Sequence, residues 1–206
     1  MKRILIGMLV VLTSGPCLLP STVMAQQKFV VLPLAEKKVG ELPAGPLFWR
    51  IENFAALEQA QAAAGPWALV AQTAGKVWLF TLGPPGGSTA GATLVAEIGP
   101  IPRFVAARYL LRINEGSGPP GSITPAHTHP GSESFYVLSG ETSSHTSDGV
   151  KRIGAGHSAT GHGADTPMQV SSSGSTDLQS LVVFVVDADK PFSSPANVPH
   201  ADKAGN

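Results

Sequence analysis

The chain has 206 residues, with 14 basic and 14 acidic side chains, so its formal net charge is zero. It is 43% hydrophobic and only 14% charged, with 23 glycines and 18 prolines, a composition typical of one turn-rich globular domain. Apart from the pairs Lys37-Lys38 and Lys151-Arg152, the chain after its first few residues contains no basic cluster. This distribution argues against nucleic acid or an anionic membrane surface as a partner.

Residues 1–25 resemble a secretory signal peptide. Lys2 and Arg3 precede an apolar run over residues 4–12, which is too short to span a bilayer. Val23 and Ala25 occupy the −3 and −1 positions of a cleavage site. We therefore expect cleavage after Ala25 and a periplasmic or secreted mature protein that does not remain in the membrane.

Residues 26–100 are predicted to form an N-terminal extension with one short helix. After a proline-rich lead-in, residues 53–64 contain good helix formers, with Asn53 as the N-cap and Gly65-Pro66 as the stop. The rest of the extension is predicted to be strands that pack on the domain that follows.

Ten apolar runs separated by Gly, Pro, Ser and Asp are predicted β-strands, at the spacing expected of an all-β sandwich or barrel. They cover residues 67–72, 76–82, 93–98, 104–113, 134–138, 141–146, 151–153, 158–160, 168–171 and 181–186. The fold is therefore predicted to be mainly β, with a β-barrel over residues 101–190. Residues 191–206 form a polar, proline-rich tail that we expect on the surface or disordered.

The strongest chemical signal is the run Ala126-His127-Thr128-His129. Two histidines that are two residues apart on a strand point to the same face. Pro130 and Gly131 turn the chain before Glu133, whose carboxylate can then face the two imidazoles from the next strand. Such a set predicts a 2-His-1-carboxylate metal site with open coordination positions. The alternative for an isolated H-x-H pair is a surface or hydrogen-bonded core position.

Residues 121–140, GSITPAHTHPGSESFYVLSG, resemble the first cupin motif, G-x5-H-x-H-x3-E-x6-G, at every fixed position. The resemblance implies a cupin double-stranded β-helix, or jelly roll, in residues 101–190. It also implies a divalent transition metal, Mn, Fe, Ni, Cu or Zn, held by His127, His129 and Glu133.

The second cupin motif matches poorly. In Ala164-Asp165-Thr166-Pro167-Met168 the methionine stands where the resemblance places a further histidine ligand. Three arrangements follow, in order of preference: three protein ligands with water, a soft thioether ligand from Met168, or His162 as a ligand or acid/base group.

Three interpretations remain open from the sequence, and the least favoured is a purely structural barrel in which His127, His129 and Glu133 are only hydrogen-bonded to one another. A metal-dependent, dioxygenase-like oxidoreductase would use the open coordination positions, whereas a binding module would hold a small molecule or a metal without turnover. The sequence assigns no catalytic residue. We expect Phe135, Val137 and Tyr109 to line an apolar pocket for a small-molecule ligand, and a homodimer as the assembly.

Overall fold

The protein is described by a computed structural model over residues 28–198. The predicted mainly β fold with one short helix is confirmed. The strands are β1 (Val30–Val39), β2 (Phe48–Phe54), β3 (Ala68–Thr73), β4 (Lys76–Gly83), β5 (Thr93–Ile98), β6 (Tyr109–Gly118), β7 (His127–Thr128), β8 (Gly131–Ser139), β9 (Glu141–Thr146), β10 (Gly149–Gly154), β11 (Ser158–Thr160), β12 (Gln169–Ser172), β13 (Leu178–Asp187) and β14 (Ser194–Pro195), and the helix is α1 (Leu57–Ala63). The predicted signal peptide and residues 199–206 lie outside the described residues.

The strands form layers. A central five-stranded sheet has the order β1-β6-β13-β8-β11, and a four-stranded sheet with the order β3-β4-β2-β5 packs on its outer face. The inner face of the central sheet shares an apolar core with the three-stranded sheet β10-β9-β12. Helix α1 covers the far side of the four-stranded sheet. The space between the central and the three-stranded sheet is where the site lies.

Strand β13 explains why the central sheet has two buried faces. It pairs with β6 on one side and β8 on the other, and Leu178 through Val186 are all buried except Gln179. Leu181, Val183 and Val185 point to the four-stranded sheet, whereas Val182, Phe184 and Val186 point to the inner core. The continuous apolar run of this segment is therefore what a strand covered on both faces requires.

The outer core is the larger of the two main apolar clusters. Trp49 and Trp78 of the four-stranded sheet are 0% and 1% exposed, and they pack with Leu111 and Ile113 of β6. Truncation of a buried aromatic side chain typically costs 3–5 kcal/mol. This cluster therefore stabilises the packing of the four-stranded sheet on the outer face of the central sheet, which is the face away from the candidate site.

Three details differ from the sequence prediction. The proline-rich lead-in contains two strands, β1 and β2, and β1 accommodates Pro33 because it is an edge strand with a register irregularity beside that residue. The helix begins at Leu57 and not at residue 53, because Asn53 belongs to β2 and its side chain donates to the Val77 carbonyl. Strand β1 pairs with β6, so this part of the predicted extension belongs to the central sheet.

None of the helices in residues 28–198 is long and apolar enough to cross a membrane.

Candidate metal and ligand site

A cavity of about 270 Å³ lies on the inner face of the central sheet. Four phenylalanines form much of its wall: Phe29, Phe135, Phe184 and Phe192. The predicted ligands His127, His129 and Glu133 all line the same cavity. The three residues that the sequence spacing singled out therefore line one cavity, whose wall is mainly apolar.

The two imidazoles are held by backbone carbonyls. His129 Nδ1 lies 2.6 Å from the Phe192 carbonyl oxygen, and His127 Nδ1 lies 2.8 Å from the Pro125 carbonyl oxygen. Because a carbonyl can only accept, each Nδ1 carries the proton, and each Nε2 of a neutral ring keeps its lone pair free. Burial also lowers the pKa of His129 to about 4, so this ring is neutral at pH 7.

Glu133 is the most deeply buried ionisable group of the site. The direction of its side chain is set by β8, because Glu133, Phe135 and Val137 occupy every second position of that strand and share its inner face. Within residues 28–198 its Oε1 finds no hydrogen-bond partner, and burial raises the pKa of Glu133 to about 8. His129 Nε2 and Glu133 Oε2 are 3.8 Å apart, which is beyond hydrogen-bond distance. With both groups neutral at pH 7, this contact is not an ion pair.

The donor set fits a transition metal. Two unprotonated imidazole nitrogens and one carboxylate with an unpartnered buried oxygen suit Zn²⁺, Fe²⁺, Mn²⁺, Ni²⁺ or Cu²⁺. The His127 and His129 rings lie edge to face, with centroids 4.9 Å apart and an interplanar angle of 81°. As the side chains stand, the described part of the chain contains no group of three His, Cys, Asp or Glu side chains close enough to hold one ion. Metal binding would therefore require a rearrangement of these side chains.

Met168 lies directly beside the histidine strand. It forms both backbone hydrogen bonds of a β-bridge with His127, at 2.8 and 2.9 Å, so the two side chains project from the same face. Met168 is 1% exposed and does not belong to the walls of the cavity. The methionine is thus a neighbour of His127 that is covered by other residues.

His162 is turned away from the cavity. Its carbonyl accepts from the Glu133 N–H at 3.3 Å, but its Nε2 lies 3.0 Å from Ser144 Oγ. Burial is the largest cause that lowers the pKa of His162, followed by the charge of Lys151. The structure therefore places the His162 ring beside Ser144 and not among the cavity residues.

Of the three predicted wall residues, only Phe135 lines the cavity. Val137 shares the inner face with Phe135 but is 0% exposed within the apolar core and does not line the cavity. Tyr109 belongs to the opposite face of β6, where its ring packs against Phe104 at 5.4 Å and its hydroxyl donates to the Phe104 carbonyl. Its position follows from the strand register, because Tyr109, Leu111 and Ile113 share the outer face.

Phe192 is one of the site residues that the sequence analysis did not identify. The predicted tail returns to the barrel, where Ser194 and Pro195 pair with Thr128 and His127. The Phe192 ring packs on His129 at 4.7 Å and on Phe184 at 5.0 Å. A single aromatic residue in a polar segment was the only cue in the sequence.

The sheets and the site define a class of protein: a β-barrel with a small internal cavity next to two imidazoles and one carboxyl group. Residues 117–184 match the family model Cupin_2, described as a cupin domain. These residues form a cupin domain that covers about a third of the chain. The central sheet and the three-stranded sheet, which contain the matched strands, have the double-stranded β-helix fold of cupin domains.

Several solved structures are similar to parts of the chain. A DMSP lyase DddQ from Ruegeria pomeroyi DSS-3 is 21% identical over 42% of this chain and 43% of that chain, with a TM-score of 0.36. The polyketide cyclase RemF from Streptomyces resistomycificus is 20% identical over 44% and 63%, with a TM-score of 0.35. A cupin-like protein from Thermotoga maritima msb8 is 12% identical over 43% and 65%, with a TM-score of 0.38. The chain spans less than half of the length of the DMSP lyase. No curated protein matches it.

Proposed function

We propose that the protein binds a divalent transition metal through His127, His129 and Glu133 and acts on a small organic molecule in the adjoining cavity, as a dioxygenase-like oxidoreductase. One observation carries the proposal. Two imidazoles whose Nδ1 atoms donate to backbone carbonyls present free Nε2 atoms to the cavity that also contains the unpartnered Glu133 carboxyl. Hydrogen bonds of this kind orient histidine ligands in metal sites.

The chain's own groups have separable roles in this proposal. His127 and His129 would supply two neutral nitrogen ligands, and Glu133 would lose its proton on binding and supply a charged oxygen. The phenylalanines of the wall would limit the access of water to a molecule bound beside them. A metal bound there would supply Lewis acidity or redox chemistry at its open positions.

A second candidate is a cupin that holds its ligand or metal without turnover. It is favoured by Met168, which occupies the place opposite His127 where a further imidazole would complete the site. Oxygen consumption separates the two. With the metal-loaded protein and a panel of catechols, flavonols and β-diketones, oxygen uptake with product supports the enzyme, whereas metal bound without uptake or product supports the binding protein.

Metal analysis tests the site itself. We expect about one equivalent of metal in the wild type and much less in His129→Ala. His157→Ala is the matched control, because His157 is exposed and its Nδ1 lies beside the Ala155 carbonyl, outside the cavity. Equal and negligible metal in the wild type and both variants would reject the proposed metal site.

We also propose that the mature protein is exported after cleavage behind Ala25, on the basis of the signal-like segment at the start of the chain. N-terminal sequencing of protein recovered from outside the cytoplasm should begin at Gln26. A mature protein that still begins at Met1 would contradict this.

A further inference from the structure

Three polar residues that the metal site does not use line the cavity, Asn114, Thr124 and Ser193, and Asn114 is the most deeply buried of them. Asn114 lies on β6, is 2% exposed, and lines the cavity among apolar neighbours. Its inward position is set by strand alternation, because Leu111 and Ile113 of the same strand face the outer core. A buried amide in an apolar wall is costly unless its hydrogen bonds are made, so its partners indicate what it does.

The orientation of this amide is fixed by its neighbour. Arg112 Nε lies 2.8 Å from Asn114 Oδ1. A guanidinium group can only donate, so the atom that faces it must be the amide oxygen. Asn114 Nδ2 is therefore the other end of the amide, and the one side-chain hydrogen bond of Asn114 among the described residues is that of its Oδ1 with Arg112. The cavity thus receives a directed hydrogen-bond donor.

The same contacts remove Arg112 as an anion-binding group. Its NH1 pairs with Glu36 at 3.3 Å, and its guanidinium carbon lies 4.2 Å from the centre of the Phe192 ring. No lysine or arginine is among the described residues of the cavity wall. A negatively charged group at this end of the cavity would therefore meet no unpaired positive charge.

Strand register gives the length of the site. Asn114 pairs with Val182 and Val182 pairs with Phe135, so Asn114 and Phe135 lie two strands apart on the same face. Two strand spacings are about 10 Å, and Glu133 lies two residues from Phe135. Between the amide and the carboxyl lies the floor formed by Val182 and Phe184. A molecule about one ring in length fits between the two polar ends, and about 270 Å³ suits a ligand at the small end of the usual range.

We propose that the cavity binds a neutral, ring-sized organic molecule, and that Asn114 Nδ2 donates a hydrogen bond to an oxygen acceptor at the end of the molecule remote from Glu133. That this molecule is the substrate rests on the proposed function. Asn114 is then a specificity-determining residue: it selects ligands that carry the acceptor over equally shaped ligands that lack it.

Three probes of similar shape test this proposal: acetophenone, ethylbenzene and benzoate. Their dissociation constants are measured by ligand-observed NMR with protein from which a chelator has removed any bound metal. We expect the wild type to bind acetophenone about fivefold more tightly than ethylbenzene, the ratio that one neutral hydrogen bond gives, and to bind benzoate weakest. Equal affinities for acetophenone and ethylbenzene, or tightest binding of benzoate, would overturn the proposal.

Two variants locate the effect. Asn114→Asp keeps an oxygen for Arg112 but removes the donor, and Asn114→Leu removes both; in each we expect the preference for acetophenone over ethylbenzene to disappear. Asn197→Asp makes the same charge change at an exposed position outside the wall and should keep the preference. A preference that survives in the Asn114 variants refutes the role of Asn114. If neither of them folds, the three wild-type affinities decide.

The outcome is independent of metal binding. If the wild type prefers acetophenone, the Asn114 variants do not, and the wild type binds no metal, this inference stands and the proposed metal site is rejected. If the wild type binds metal but has no preference among the probes, the proposed metal site stands and this inference is rejected.

Discussion

The substitution Glu133→Gln in the metal-free protein should remove a large part of the dependence of stability on pH. In an unfolded chain the carboxyl ionises with a pKa near 4.5, whereas burial raises the pKa in the folded protein to about 8. The folded state therefore binds the proton more tightly than the unfolded state. The stability that this proton contributes is fully present below pH 4.5 and is lost as the pH rises towards 8.

The size of the effect follows from the two pKa values. One unit of difference corresponds to about 1.4 kcal/mol, so the shift from 4.5 to about 8 is worth roughly 5 kcal/mol in full. Between pH 5 and pH 8 the Glu133 carboxyl alone should lower the free energy of unfolding by roughly 3 kcal/mol. Glutamine has nearly the same shape and does not titrate. Its buried amide adds a cost that does not change with pH.

Urea denaturation in the presence of a chelator measures this difference. The free energy of unfolding is obtained for both proteins at pH 5 and at pH 8, and the change in the wild type is compared with the change in Glu133→Gln. Glu58→Gln is the control, since it makes the same chemical change at an exposed carboxylate in the first turn of α1. If Glu133→Gln and wild type lose the same stability between the two pH values, Glu133 is not a buried neutral acid and the reasoning fails.

Three further predictions concern neighbouring parts of the molecule. Deletion of residues 192–206 removes the carbonyl that orients His129, and it should weaken Zn²⁺ binding by about 10–100-fold in a calorimetric titration; unchanged affinity would show that this contact has no role. Met168→Leu should leave Zn²⁺ stoichiometry and affinity unchanged, because three ligands hold the metal, and a marked loss on titration would make the thioether a ligand. Glu52→Ala should lower the free energy of unfolding, measured with urea, by about 1–3 kcal/mol, because the buried carboxylate accepts hydrogen bonds from the N–H and the hydroxyl of Thr89. The metal content of this variant should not change. A loss of metal without a loss of stability would contradict this prediction.

Much of the fold could be predicted because turn residues separate its strands. Strands β3, β4 and β5 begin and end within one residue of the predicted runs, and the apolar run of β13 is typical of a strand buried on both faces. Strand β1 was missed because Pro33 argues against a strand unless that strand is at a sheet edge, which only the tertiary structure establishes. The helix start was wrong because tertiary pairing of Asn53 outweighed its preference for capping.

Only the proposed metal ligands of the candidate site could be predicted from the sequence. The spacing of His127, His129 and Glu133 places them in one cavity, because alternation along strands is a local property. The contact of His129 with Phe192 joins residues 63 apart in the chain, and no local pattern specifies it. The inward position of Asn114 likewise depends on the register of β6, which the neighbouring residues in the sequence do not specify.

X-ray absorption spectroscopy of the Zn²⁺-loaded protein is the most direct test of the metal site. The geometry predicts two imidazole nitrogens in the first coordination shell, at about 2.0–2.1 Å, together with carboxylate and water oxygens, and one imidazole fewer in His129→Ala. A shell of oxygens alone, or a wild-type spectrum that is unchanged in His129→Ala, would contradict a metal centre built on His127, His129 and Glu133.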